Sequence, residues 1–480
     1  VKVLLESDAG DDEEELSSGY DTDEETARVL QTLEAEPEVK LSTFYKHLKG
    51  LQKSRVSCLQ LPLVVFVFAT YLLVSQSHFM VDEVHELEVA IEEVYLSKKT
   101  ASSRIPYKDI HSVDLYWEWL TDVFVPTTFN AQTDVLGRTT DKRLWGRLAE
   151  YNKIVGAARV QQKRGKREKC DAPNLEKFYG SGCTDPTSED QNYFGYAVCN
   201  ATRRGEVTEN IHGCVNMQKY APFFDPSLFE KGIEDHTGFE PDVDSDGSTV
   251  FETYFDMSST FEEAKLTLNY LKERGFVDRQ TAEISHILTV LNAELGLFCE
   301  VEMHLIFENG GYVRDWFYIG SLPLHPYTAH PEMYFFDVCW YVALSLLVAR
   351  ELIDLRKIGI KRGMVDRFFW LNWVTICFAI YVTVVWHTEI LTDSQLAEDA
   401  LVNNDFAHTS SVGANLTHSE RGEMHKQINV LQDTIKAGIG HMDAYRVNCI
   451  LVCFLLLGQL FEVFLGNPRL STMVLTFSNA

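Results

Sequence analysis

LQLPLVVFVFATYLLVS, residues 59–75, holds no charged residue, and MYFFDVCWYVALSLLV, residues 333–348, holds only Asp337. Both read as membrane spans, and the polar block between them, from about His78 to Glu332, is far too long for a loop. A backbone inside hydrocarbon must satisfy its own hydrogen bonds, so a polar block of this size cannot stay there. The block is therefore a folded domain strung between two membrane helices, on one side of the bilayer. Two further apolar runs follow, Phe368–Trp386 and Val447–Leu465.

Over its 480 residues the chain is 45% hydrophobic and 24% charged, the figures of an ordinary soluble protein, because the polar block dilutes four apolar runs. A formal charge of −27 argues against nucleic acid as a partner, since a basic face is needed to neutralise phosphate. The chain starts at Val1 and shows no signal peptide, so a preceding N-terminal part is expected. Glu6 to Glu36 carries the acidic run ESDAGDDEEELSSGYDTDEE, too poor in apolar residues to build a core, and residues 1–39 read as a solvated cytoplasmic tail. Lys46, Lys49, Lys53 and Arg55 then precede the first span, and basic flanks stay cytoplasmic.

Inside the block, Val81–Tyr95 and Ile110–Phe124 have apolar residues at helical spacing and predict two amphipathic helices. The aromatics Tyr116, Trp117 and Trp119 are read as core or as packing against the membrane surface rather than as a ligand box. The basic cluster Arg159–Lys169 is read as a solvated loop, with docking against an acidic neighbouring subunit as the alternative. Cys170 and Cys183 lie in a Gly-, Pro- and Asp-containing loop, and Cys199 and Cys214 follow in similar surroundings. In an oxidising compartment these would pair, and closing a loop of that size contributes on the order of 3 kcal/mol. Metal binding is disfavoured, because no CxxC or HxxxH spacing accompanies them.

The sequons set the compartment. Asn200-Ala-Thr202 lies in the block and Asn415-Leu-Thr417 in the loop between the third and fourth apolar runs; with four spans both fall on one side. The loop between the second and third runs instead collects Arg350, Arg356, Lys357, Lys361, Arg362 and Arg367, which puts it inside.

Asp242–Gly247, DVDSDG, begins like a calcium loop, with Asp242, Asp244 and Asp246 as candidate ligands for Ca2+. The pattern fails at position twelve, which is Thr253 rather than Glu, so a polar turn is the favoured reading. Ser259-Thr260-Phe261-Glu262-Glu263 is a capping signature for a helix that stops at Gly275. LFCEVEMHLIFE, residues 297–308, alternates Val301, Met303, Leu305 and Phe307 with Glu300, Glu302 and His304, a half-buried strand with His304 on its solvated face. Asn309-Gly310-Gly311 turns it into a hairpin with Tyr312–Ile319. Cys299, with no obvious partner, is expected to be a free buried thiol.

These residues resemble the polycystins of the TRP channel superfamily. The resemblance runs through Asn152–Arg159 (NKIVGAAR), the basic stretch to Cys170, Leu271-Lys272, Val277-Asp278-Arg279 with Thr281, the strand LFCEVEMHLIF, and the Gly-Gly turn with Trp316 beyond it. It covers the chain from about Lys40 onward, and Cys170 with Cys183 looks like the family's disulfide. It implies a membrane protein with a voltage-sensor-like bundle of four helices and an extracellular α/β (α+β) polycystin domain over residues 80–332, between the first two spans. Residues 40–79 would hold a pre-span helix and the first span, and 333–466 the other three spans, with a long extracellular loop at 388–445. Residues 467–480, with Asn467-Pro468-Arg469, look like the linker to a fifth span.

The implied function is that of a subunit of a tetrameric, calcium-permeable cation channel in a plasma or ciliary membrane. Its partners would be other polycystin-type subunits and membrane lipids. The rival reading is a non-conducting anchor tying a ciliary membrane to extracellular matrix or filament proteins, and no enzyme motif is visible. Two departures from the family stand out. Val447–Pro468 carries no Lys or Arg, only Glu462, so it lacks the charges that do about 2.3 kcal/mol of work per 100 mV each; Glu462 is expected to pair with Arg350 or to snorkel. The second is the outer loop itself, whose stretch Met424–Ile435 is amphipathic.

Overall fold

Period-two patterning in the polar block builds one antiparallel sheet. The computed structural model describes residues 61–133, 136–170, 183–196, 198–199, 215–216, 239–244, 246–358, 367–403 and 418–466. Its strands are β1 (Arg147–Leu148), β2 (Asn152–Ile154), β3 (Ala157–Glu168), β4 (Cys183–Glu189), β5 (Val198–Cys199), β6 (Val215–Asn216), β7 (Asp242–Val243), β8 (Thr249–Asp256), β9 (Thr281–Asn292), β10 (Leu297–Phe307) and β11 (Val313–Pro323). β5 and β6 pair with each other, and the remainder form a nine-stranded sheet. β9, β10 and β11 run as a meander. β9 is bordered on its other side by β2 and then β3, β3 by β8, and β8 by β7, while β4 extends the far end of β3. Gly296 (φ 64°) and Gly311 (φ 84°) turn the meander, left-handed positions that a Cβ would strain.

The helices are α1 (Leu61–Ser97), α2 (Val113–Trp119, continued by π and α turns to Thr128), α3 (Phe261–Arg274), α4 (Glu332–Ile358), α5 (Arg367–Val385), α6 (Leu391–Asn403) and α7 (His418–Gly466). The capping signature is realised at the start of α3. Glu263 N–H donates to Thr260 Oγ1 at 3.2 Å and Thr260 N–H to Glu263 Oε2 at 2.7 Å, so two otherwise orphaned donors are satisfied, and Gly275 (φ 70°) closes the helix.

The chain divides into two compact units. The described parts of Ser75–Phe336 and Tyr381–Asn448 form the sheet unit, which has a core on each face of the sheet. On one face, Val301, Met303 and Leu305 of β10 join Ile284, Leu288 and Val290 of β9 against Trp119, Val123 and Phe124 of the α2 region and Leu268 and Leu271 of α3. Tyr116, Trp117 and Trp119 are core residues, at 1%, 6% and 0% exposure. His286 lies among them with no exposed surface, 3.2 Å from the Tyr116 hydroxyl, and burial pushes its imidazole down to about 3, so it stays neutral. On the other face Phe298 and Leu322 meet Ala397 of α6 and Met424, Ile428, Leu431, Ile435 and Ile439 of α7.

The described parts of residues 388–445, expected as a long outer loop, supply the helices of this second core. These parts form α6 and the first part of α7, and they fold with the sheet because an apolar stripe at helical spacing must be buried somewhere. Fully covering one such Ile stabilises by roughly 1.5–3 kcal/mol. The described parts of Val1–Val74, Asp337–Ile380 and Cys449–Ala480 make the second unit, a helical one. Tyr71 donates its hydroxyl to the Cys449 carbonyl at 3.1 Å and packs on Trp340 at 4.9 Å. Asn372 Nδ2 donates to Glu351 at 3.2 Å. Among the described residues three helices, α1, α5 and the Glu420–Phe461 part of α7, are long and apolar enough to cross a membrane. The expected second span falls on the 27-residue α4, which is not among those three.

Candidate functional site: a charged seam between the sheet and α7

Strand register decides which side chains share the face under α7. Arg159 of β3 stands opposite Ile287 of β9 and Tyr254 of β8. On β10, Glu300 stands opposite Thr289 and Gly320, Glu302 opposite Ile287 and Tyr318, and His304 opposite Ser285 and Trp316. Alternation therefore collects Arg159, Gln161, Glu252, Tyr254, Glu283, Thr289, Glu300, Glu302 and His304 on one face. α7 crosses that face strand by strand. His425 stacks on Tyr254 with centroids 4.0 Å apart and bonds Asp256 at 2.7 Å; Lys436 reaches Glu302 at 2.5 Å; Asp443 accepts the Tyr318 hydroxyl at 2.5 Å.

The contacts form two networks. In the first, Glu252 accepts from Gln161 Nε2 at 2.6 Å, Asn429 Nδ2 at 3.1 Å and Arg159 Nη1 at 3.4 Å, and also from the Tyr254 hydroxyl. Arg159 Nη2 also lies 4.0 Å from Asp433. In the second, Lys436, Glu302, His304 and Glu283 form a chain: Glu302 Oε2 is 3.1 Å from His304 Nε2, and Glu283 Oε1 is 2.7 Å from His304 Nδ1. A ring with a carboxylate on each nitrogen is arranged as an imidazolium. Burial pushes His304 down, but the two carboxylates outweigh it and hold it above its usual range. Burial raises Glu302, yet its bonds to His304 and Lys436 bring it down to about 2.

Glu300 lies between these networks and belongs to neither. It has no exposed surface, and neither carboxylate oxygen has a hydrogen-bond partner. Burial, and then the charge of Glu302, push it up to about 8 in spite of Lys436 and Arg159. Thr289 Oγ1, directly across on β9, and both amide atoms of Gln432 are likewise buried and without a partner. Gln432 stands one turn from Ile428, which presses on Gly156, and one turn from Lys436, which binds Glu302, so the helix face that carries it lies over this row.

The sequence expectations fare unevenly here. His304 is not on a solvated face: it is half-buried between two carboxylates, and β10 is covered on both sides over Leu297–Met303. Nor is the basic cluster a solvated loop. Arg159–Glu168 is strand, Arg159 is 3% exposed, and Arg164 forms a two-pronged pair with Asp278 at 2.9 and 2.8 Å beneath the Phe194 ring. Sequence reasoning found neither Arg159, Asn429, Asp433 nor Lys436 as site residues; the amphipathic stretch Met424–Ile435 was the available signal.

Cys170 and Cys183 are bonded, with Sγ atoms 2.02 Å and Cα atoms 5.0 Å apart, and Cys299 is a free buried thiol. Cys199 ends β5 with its side chain outside the described residues, as Cys214, Asn200 and Asn415 are altogether. The contacts described around Asp242, Asp244 and Asp246 are those of a turn, the favoured reading, with Gly247 N–H donating to the Asp244 carbonyl at 2.9 Å. Asp242 accepts from the Val243 N–H, Asp246 from the Ser248 N–H and hydroxyl and from Lys163, and no group of three or more His, Cys, Asp or Glu that could hold a metal ion occurs among the described residues. The Ser248 bonds hold Asp246 down at about 2, which suits a tight turn. Arg350 pairs with its neighbour Glu351, while the side chain of Glu462 lies outside the described residues.

The described residues thus combine a two-faced β-sheet unit with three helices long and apolar enough to cross a membrane, which fits a membrane protein. Residues 106–325, which span α2, the sheet and its helix α3, match the family model described as the Polycystin domain. The chain carries a polycystin domain, which supports its membership of the polycystin family. No curated protein matches the chain.

Proposed function

We propose that this chain is a subunit of a polycystin-like, calcium-permeable cation channel of the TRP superfamily. In this reading the domain over 80–332, together with 388–445, is extracellular and joins neighbouring polycystin-type subunits into a tetramer. α4 is the second of four spans in a voltage-sensor-like bundle, and a plasma or ciliary membrane is the expected location. The observation that carries the reading is the polycystin domain match within a chain that also has three helices fit to cross a membrane. Val447–Leu465 carries Glu462 and no Lys or Arg, so the fourth span contributes little gating work; each missing charge is worth about 2.3 kcal/mol per 100 mV.

The test is expression of the natural full-length protein, with patch-clamp recording and a subunit count by cross-linking in membranes. Four subunits per complex and a cation current of shallow voltage dependence are expected. A monomer without current would end the channel reading, and steep gating abolished by changes within Val447–Leu465 would end the voltage reading.

A further inference from the structure

A buried carboxyl with no partner stands where a 49-residue helix lies across the sheet. The elements packed around Glu300 differ in the charge they bring. β10 presents Glu302, β3 presents Arg159, β11 presents Tyr318, and α7 presents Lys436 and Asp433; β9 presents only the neutral Thr289. Asp244, at the end of β7, acts on Lys436 and Asp433 in turn. Lys436 is already bonded to Glu302, and Arg159 is shared between Glu252 and Asp433. The positive charge that could compensate Glu300 is therefore committed elsewhere. A metal ion is a poor substitute, because two cationic side chains already face the position and the described residues offer no cluster of three ligating side chains. A proton removes the buried negative charge without bringing another ion into the seam.

We propose that Glu300 is a proton-binding site that latches α7 to the sheet: the helix docks over residues 425–443 while Glu300 is the neutral acid, and ionisation of Glu300 loosens that docking. Released into water, the Glu300 carboxyl ionises near its ordinary value of 4.5, whereas in the docked seam it is pushed up to about 8. Between those values the docked state holds a proton that the undocked state has given up, so docking weakens as pH rises, by at most about tenfold per pH unit. Glu302 acts oppositely and outside this range. Its carboxylate, brought down to about 2, favours docking above its ordinary value of 4.5 and loses that effect only as pH falls toward 2. His304 is held above its usual range, so it loses its proton as pH rises and adds to the same trend as Glu300. The latch is therefore tightest near the ordinary Glu value of 4.5 and weakens from there as pH rises. It stands apart from the channel reading, because it needs only the sheet and α7.

Hydrogen exchange of peptides covering 425–443 in the full chain, in lipid nanodiscs from pH 5.5 to 8.5, tests it once corrected for intrinsic exchange. Protection of these peptides should fall by about 100-fold between pH 6 and 8, while peptides from α2 and β9 hold theirs. Glu300→Gln, a neutral isostere, should flatten the profile, and His304→Asn should leave most of it. A flat profile in the natural protein overturns the proposal without any variant. So does a profile that survives Glu300→Gln and vanishes in His304→Asn. Protection at pH 8 that is restored by millimolar calcium but not by acid would make the site a cation site instead.

Discussion

Gly156 shows how single residues set the seam. Its φ of 73° is left-handed, and a Cβ there would stand 2.7 Å from Ile428 Cγ1. Gly156→Ala should destabilise the sheet unit by the left-handed cost of about 1–2 kcal/mol and, beyond it, by the displacement of Ile428 from the second core. Gly247→Ala, at φ 83° with nothing within 4 Å of the added Cβ, should show the first term only. Thermal denaturation of both variants checks the difference, and equal losses would mean that α7 does not press on β3. Cys183 makes a second case. Cys183→Ser removes the bond to Cys170 and should lower stability by about 2–4 kcal/mol, with non-reducing peptide mapping of the parent showing the 170–183 link.

Among the elements, α7 and α3 each bury an apolar stripe, in different cores, and α3 adds an N-terminal cap. α7 owes its place to an apolar stripe, and Ile435, with no exposed surface, lies in the middle of the second core. Ile435→Ala should cost about 2–5 kcal/mol and strip hydrogen-exchange protection from 424–443. α3 starts on the Thr260–Glu263 cap, which is exposed, and Thr260→Ala should cost only about 0.5–2 kcal/mol and leave α7 untouched. If the two variants changed exchange over the same peptides, the two-core description of the sheet unit would fail. The chain Lys436–Glu302–His304–Glu283 adds register rather than much net energy, since buried charge pairs roughly balance their own desolvation.

For the whole molecule, the topology is the property to test. Sequons at Asn200 and Asn415 and basic residues such as Lys357 on α4 should lie on opposite sides of the membrane. Glycan mapping of the protein from cells should find sugar at both asparagines, and a cysteine at position 357 (Lys357→Cys) should react with an impermeant thiol reagent only after the cells are opened. Labelling of intact cells at position 357 would reverse the orientation and remove the oxidising surroundings expected for the Cys170–Cys183 bond.

Local chemistry was legible in the linear chain. The apolar runs, the Thr260 cap, the hairpin at Gly310-Gly311, the aromatic core around Trp119, the Cys170–Cys183 pair and the free thiol of Cys299 each depend on neighbours close in the sequence or on residue type alone. Alternation in LFCEVEMHLIFE also told correctly which residues share a face. It could not tell what covers that face, because a period of two is the same whether the polar side meets water or a helix. The cover is α7, whose Lys436 lies 134 residues beyond Glu302. For the same reason the basic stretch at Arg159 passed for a loop: its compensating charges, Glu252, Asp278 and Asp433, come from three distant elements. Tertiary packing alone made Glu300 a buried acid without a partner, since burial and the nearness of Glu302, Lys436 and Arg159 exist only once the helix is laid across the sheet.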